Sequence, residues 1–283
     1  MTDHPIFAAF QPVTVTTSGR HVYDFTGGAT RVAFKRAWAG HATGQGRSVT
    51  PALPPKNEHY LDWIVLLTAV SRAQGTFRMA ECGAGWAPWL VRAALAARQR
   101  PAITALELVG IEADTTHYAW MAEHFRDNGL NPDDYHLLHG AVSATPGVLQ
   151  FPVIADPDVD YGTSLGMAAT AARTIDVKGW SLPETLDIFS GPLDFLHIDI
   201  QGAEYDVIPP AMDILKRRVK SVMVGTHISD AKHDSLAERF RQAGWTQTMA
   251  LPRNTANATP WGEVTTNDGF LWFENPGLLA DIA

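Results

Sequence analysis

Met79-Ala80-Glu81-Cys82-Gly83-Ala84-Gly85-Trp86 decides the fold. An apolar run closes on a carboxylate and turns through two glycines into a segment of helical character, Pro88 to Arg98. A parallel strand delivers polar groups to the rim of an α/β sheet in this way. Phe195-Leu196-His197-Ile198-Asp199-Ile200-Gln201-Gly202-Ala203-Glu204-Tyr205 repeats the grammar. A third acidic strand end, Glu112, stands between the two. This order predicts a nucleoside cofactor site followed by a reaction site.

Working outward, the spacing predicts strands over 76–81, 106–112, 135–139, 193–199 and 221–226, with helices between them. Asp114 is placed to cap one helix, and Ser181-Leu-Pro-Glu184 opens another as a capping box. Pro209-Pro210 should bend or interrupt the helix that begins near Ala203. Residues 148–153 read as an added strand or hairpin, followed by a polar loop to Thr170. Residues 245–251 and 269–274 read as an antiparallel edge. Alternating strand and helix implies an α/β fold with a doubly wound, mostly parallel, Rossmann-like sheet covered on both faces, with an antiparallel C-terminal edge. Residues 1–56 lack periodicity and read as a short arm packed on the core. Residues 57–283 read as the main domain.

The chain carries 22 Lys plus Arg against 30 Asp plus Glu, a formal net charge of −8. Duplex nucleic-acid binders are normally basic, so no nucleic-acid partner is expected. Cys82 is the single cysteine, so no intrachain disulfide can form. No signal pattern opens the chain and no apolar run reaches membrane-spanning length. These features predict a soluble cytoplasmic protein without a membrane partner. A homodimer is compatible with them.

The turn at Gly83 and Gly85 lets backbone pass close to a ligand. A dinucleotide fingerprint wants a third glycine where this chain has Pro88. Glu81, just before the turn, would repel a pyrophosphate but suits a cationic amino group. Together these point to S-adenosylmethionine. Glu112 is placed to accept hydrogen bonds from ribose hydroxyls, and Ala141 to line the adenine. Cys82, Trp86 and Trp89 read as packing residues.

By strand alternation Asp199 lies at a C-terminal tip, facing the expected methyl group. His227, at the end of the next strand, is the candidate proton acceptor, with Asp199 as its partner. The segment 156–170, with Tyr161 and Ser164, is expected to cover the acceptor. Gln201 and Glu204 complete the candidate substrate-binding set. Asp199 and His227 alone are too few for a metal site, so no metal ligands are assigned and a divalent metal is not favoured.

These motifs, together with His139-Gly-Ala-Val142, Tyr161-Gly-Thr-Ser164 and Gly225-Thr-His227, resemble the FkbM-type methyltransferases over roughly residues 57 to 275. The resemblance implies S-adenosylmethionine as cofactor and methylation of a hydroxyl on a small-molecule or glycan acceptor, such as a secondary metabolite or sugar. Many members carry Glu where this chain has Gln201, and an amide cannot act as a base near neutral pH. An N-methyltransferase, or a scaffold domain that binds the cofactor without turnover, stays open beside the O-methyltransferase reading.

Overall fold

The computed structural model describes residues 2–280. The first residue of the expected arm and the last three of the expected domain lie outside the described residues. Nine strands form the main sheet: β1 (Gly75–Cys82), β2 (Ile103–Glu112), β3 (His136–Val142), β4 (Gly147–Pro152), β5 (Thr174–Trp180), β6 (Phe195–Ile198), β7 (Ser221–Thr226), β8 (Thr246–Leu251) and β9 (Gly269–Glu274). Their order is β8-β9-β7-β6-β1-β2-β3-β5-β4. β4 and β9 run against the rest. This is the doubly wound, mostly parallel Rossmann-like sheet expected, with the reversed strand β9 between β7 and β8. From β1 the chain winds outward through β2 and β3, then returns to lay β6 on the other side of β1. The tips of β1 and β6 therefore flank the switch point, where ligands of such sheets bind.

Strand alternation sorts the core into two layers. Phe77, Met79, Phe195 and Met223 face α1 (Glu58–Arg72), α2 (Pro88–Ala97) and α3 (Thr115–Asp127). Ala80, Cys82, Leu196, Ile198, Val222 and Val224 face α4 (Leu182–Asp187), α5 (Glu204–Arg218) and α6 (Asp230–Gln242). Asp114 caps α3 by accepting from the N–H groups of Thr116 and His117. Ser181 and Glu184 form the reciprocal capping box of α4.

Several local expectations are corrected. α5 runs unbroken through Pro209 and Pro210, its apolar face of Val207, Ile208, Ala211 and Leu215 buried against the sheet. That burial outweighs the two lost N–H donors. β5 has no counterpart in the sequence reading. Neither has the hairpin of Thr255–Thr259 and Gly262–Thr266.

Residues 2–56 form short ribbons and single 3-10 turns laid over α1 and α3. Phe7, Phe10 and Phe25 enter the main core. Arg31 binds Asp127 and Glu123, and Asn128 pairs with both backbone groups of Ala29. These contacts pin the arm to the C-terminal end of α3. Among the described residues, no helix is long and apolar enough to cross a membrane.

Candidate functional site

A cavity of about 240 Å³ opens at the C-terminal ends of β1, β2, β3 and β6. Glu81, Gly83, Gly85, Glu112, Ala141, Tyr161, Ser164, Asp199 and Gln201 all line it. Residues far apart in sequence are thus drawn onto one surface.

The two glycines have different reasons to be glycine. Gly83 has φ +75°, and a Cβ there would sit 1.8 Å from the carbonyl oxygen of Asp199. Its role is to let the β1 tip close on the β6 tip, where the Asp199 N–H donates to the Cys82 carbonyl at 2.9 Å. Gly85 has φ +55°, and a Cβ there would meet nothing within 4 Å. Its bare side faces open cavity.

Glu81 is 1% exposed. It accepts from the N–H of Trp89 at 3.3 Å and of Leu90 at 3.0 Å, satisfying two free donors at the start of α2. Burial nonetheless raises its pKa to about 8, against those N–H groups and the charge of Arg92. Glu112 accepts from the N–H of Gly85 at 2.8 Å and of Asp114 at 2.7 Å, tying the glycine turn to the β2 tip. Burial also moves its carboxyl above the usual range, opposed by His117 and the two N–H groups. Cys82 is buried, and its thiol is pushed up to about 12 by burial, so it is inert.

At the β6 tip the chemistry reverses. The Asp199 side chain is 40% exposed. Its Oδ1 accepts from the Gln201 amide at 2.9 Å and lies 3.4 Å from His227 Nε2. Burial favours its neutral form, but His227 outweighs burial and holds the carboxyl below its usual range. Gln201 adopts φ +52° and Gly202 φ +104°, which turns the chain back toward Asp199.

His227 is 8% exposed and does not line the cavity. Its Nδ1 stands 3.1 Å from Glu204 Oε1, and its N–H donates to the same oxygen at 2.8 Å. Burial opposes its charge, yet Asp199 and Glu204 prevail and raise its pKa to about 10. That shift favours the imidazolium at neutral pH. That state does not suit the proton-acceptor role expected from the sequence. Glu204, expected to touch substrate, is fully buried behind the site and binds His227 and the Gly202 N–H instead.

Tyr161 stacks on His117 at 4.5 Å and meets Trp86 edge-on at 4.9 Å. Its hydroxyl donates to the Phe34 carbonyl of the arm. Arg36 grips Asp156 and Asp158, each at 2.9 Å. The segment expected as a cover is therefore clasped by the arm. Trp86 and Trp89 are buried and also wall the cavity. Sequence reading missed Lys35 and Trp38 from the arm, His59 from α1, Arg92 from α2 and His117 from α3. None stands at a strand tip, and only the tertiary fold brings them to the cavity. Among the described residues no three His, Cys, Asp or Glu side chains are placed to hold a metal ion.

No family model matches the chain. It is 29% identical over 236 residues to a protein of Jannaschia sp. (strain CCS1) described as a "Putative methyltransferase", covering 79% of this chain and 82% of that one. Among solved structures, a SAM dependent methyltransferase from Agrobacterium tumefaciens has 13% identity, a TM-score of 0.44 and coverage of 85% of this chain and 79% of that one. Precorrin-6y C5,15-methyltransferase from Geobacter metallireducens GS-15 has 12% identity, a TM-score of 0.41 and coverage of 75% and 87%. Structural likenesses at this level carry no argument about activity. The sequence relative leaves the chain similar, over most of both lengths, to a protein described as a methyltransferase.

Proposed function

We propose that the chain is an S-adenosylmethionine-dependent methyltransferase acting on a hydroxyl of a sugar or secondary metabolite. One observation carries this reading: an open glycine turn and three strand-tip carboxylates, Glu81, Glu112 and Asp199, line one cavity at the switch point of the sheet. The residues present fit the cofactor. Gly85 leaves open space where a ligand can pass the backbone. Glu112 is held by two N–H groups at the tip of β2, where a ribose would lie. Glu81 is a desolvated carboxyl that a ligand ammonium would stabilise as the anion. Ala141 belongs to a small apolar cluster with Ala113, Phe151 and Val177 that suits a flat base. The FkbM-type motifs and the similarity to the Jannaschia protein support the same reading.

When bound, the cofactor supplies an electrophilic methyl group. The chain supplies orientation. Gln201 and His227 both engage Asp199 Oδ1, and Oδ2 accepts no hydrogen bond from any described residue. Oδ2 is free to accept from an acceptor hydroxyl. A carboxylate held below its usual range is a weak base. It suits a proton that leaves late, once the acceptor oxygen has become positive and strongly acidic. His227 acts behind it, as a fixed positive charge.

Isothermal titration with S-adenosylhomocysteine tests the reading. Saturable binding is expected, followed by methyl transfer in a screen of sugars and polyketides. A folded protein that binds no S-adenosylhomocysteine overturns it.

A further inference from the structure

Arg92 lines the cavity and has no part in the chemistry above. Its guanidinium carbon sits in a corner made by two tryptophans, 4.4 Å from the ring centre of Trp89 and 5.2 Å from that of Trp63. Its Nε stands 3.5 Å from Asp24 Oδ2 in the arm, and its side chain is 18% exposed. Neither terminal nitrogen donates a hydrogen bond to any described residue. Two aromatic faces and one carboxylate therefore fix the rotamer while the donor fork stays unused. A guanidinium fork binds a carboxylate through two parallel hydrogen bonds, and a pre-set fork loses little entropy in doing so.

Glu81 shares this wall. Its carboxyl is held by the N–H groups of Trp89 and Leu90, one turn before Arg92 on α2. A carboxyl at the tip of β1, seated on the start of α2, and a guanidinium one turn along α2 stand where the ammonium and carboxylate of a zwitterionic α-amino acid could each find a partner. Lys35 is the other fully cationic side chain on the cavity lining. It is a less definite anchor: its ammonium lies 5.7 Å from the Trp38 ring, and no carboxylate braces it among the described residues.

We propose that Arg92 anchors the carboxylate of the cofactor's amino-acid end, with Glu81 taking its ammonium. The inference rests on S-adenosylmethionine being the cofactor, and it divides the cavity into a zwitterion end and a nucleoside end.

The test compares S-adenosylhomocysteine with 5′-methylthioadenosine, which keeps the nucleoside and the sulfur but lacks the amino-acid end. Both are titrated calorimetrically into the wild type, Arg92→Met and Lys35→Met. Arg92→Met should weaken S-adenosylhomocysteine by about ten- to a hundredfold, the range of a lost charge-assisted pair. Affinity for 5′-methylthioadenosine should change by less than about twofold. Equal losses for both ligands would make Arg92 a structural brace and overturn the proposal. So would an unchanged affinity for S-adenosylhomocysteine, or a selective loss in Lys35→Met instead. If Arg92→Met fails to fold, Arg92→Lys carries the same comparison: selective loss supports the anchor, and equal or absent loss overturns it. A wild type that binds neither ligand overturns the cofactor reading itself, and the anchor with it.

Discussion

The tips of β1 and β6 are neighbours in the sheet, with Glu81 opposite His197 in register, yet they treat their carboxylates in opposite ways. Glu81 is sealed from water, and burial drives it toward the neutral form. The Asp199 side chain is 40% exposed, and His227 behind it holds the carboxyl below its usual range. One tip has its counter-charge built in. On the proposed reading, the other gains from a cation brought by a ligand. A binding site benefits from an unmet charge, because the ligand completes it. A reaction site benefits from a settled charge, because its geometry must not wait on the ligand.

The largest expected effect breaks the joint between the tips. Gly83→Ala places a methyl group against the Asp199 carbonyl and should destabilise the fold by about 3 kcal/mol or more, from overpacking and left-handed strain together. Gly85→Ala, the same change two residues on, meets open space. It should cost only about 1 kcal/mol of strain. Its effect should fall on S-adenosylhomocysteine affinity, lowered about tenfold, on the order of 1.4 kcal/mol. Urea denaturation and calorimetry on the pair check this. Equal stability losses would erase the distinction drawn between the two glycines.

Removing the built-in cation comes next. His227→Gln should lower turnover about ten- to a hundredfold through misplacement of Asp199. Cofactor affinity should stay within about twofold. The pH dependence of stability sharpens the assignment. A histidine whose folded pKa is raised gives stability that is complete below its ordinary value of 6.5 and is lost as pH rises through about 10. The wild type should therefore weaken between pH 7 and 10 more than His227→Gln does. Parallel curves would mean that the imidazolium is not formed.

Glu81→Gln probes the unmet charge. A raised carboxyl pKa also stabilises the fold below its ordinary value, 4.5, and that stability is lost as pH rises through about 8. Denaturation at pH 5, 6.5 and 8 should show a steeper decline in the wild type than in Glu81→Gln. The smallest expected effect concerns the clasp over the cavity. Arg36→Ala should leave global stability unchanged, because its ion pairs are exposed. Amide hydrogen exchange over residues 154–165 should quicken. Unchanged exchange there would show that Tyr161, and not Arg36, holds the cover.

The strand tips were legible because their signal is local. An apolar run, a carboxylate and a glycine follow one another in the chain, and the helix caps are equally short-range. β5 was not legible: Thr174-Ile-Asp-Val-Lys-Gly-Trp180 alternates polar and apolar over a short reach beside a long polar loop, and pairing with β3 and β4 completes it. Asp199 and His227 were legible as tip residues, but the charge of His227 was not. That charge depends on Glu204, which reads as a substrate contact beside the strand tip and is instead fully buried at the start of α5, behind His227. Arg92, His59 and Lys35 carry no pattern of their own, since their relevance is created by where α1, α2 and the arm pack.

The contact at Gly83 can be read as a problem of mechanical tolerance. On the proposed reading, a methyl donor and its acceptor are gripped by different strands and must meet closely, since a misplacement of about 1 Å can cost on the order of a hundredfold in rate. Every intervening part adds play to such a gap. Because backbone touches backbone at Gly83 and Asp199, with no side chain as a spacer, the two jaws share one datum. Their clearance is set by peptide geometry, the stiffest standard a polypeptide has.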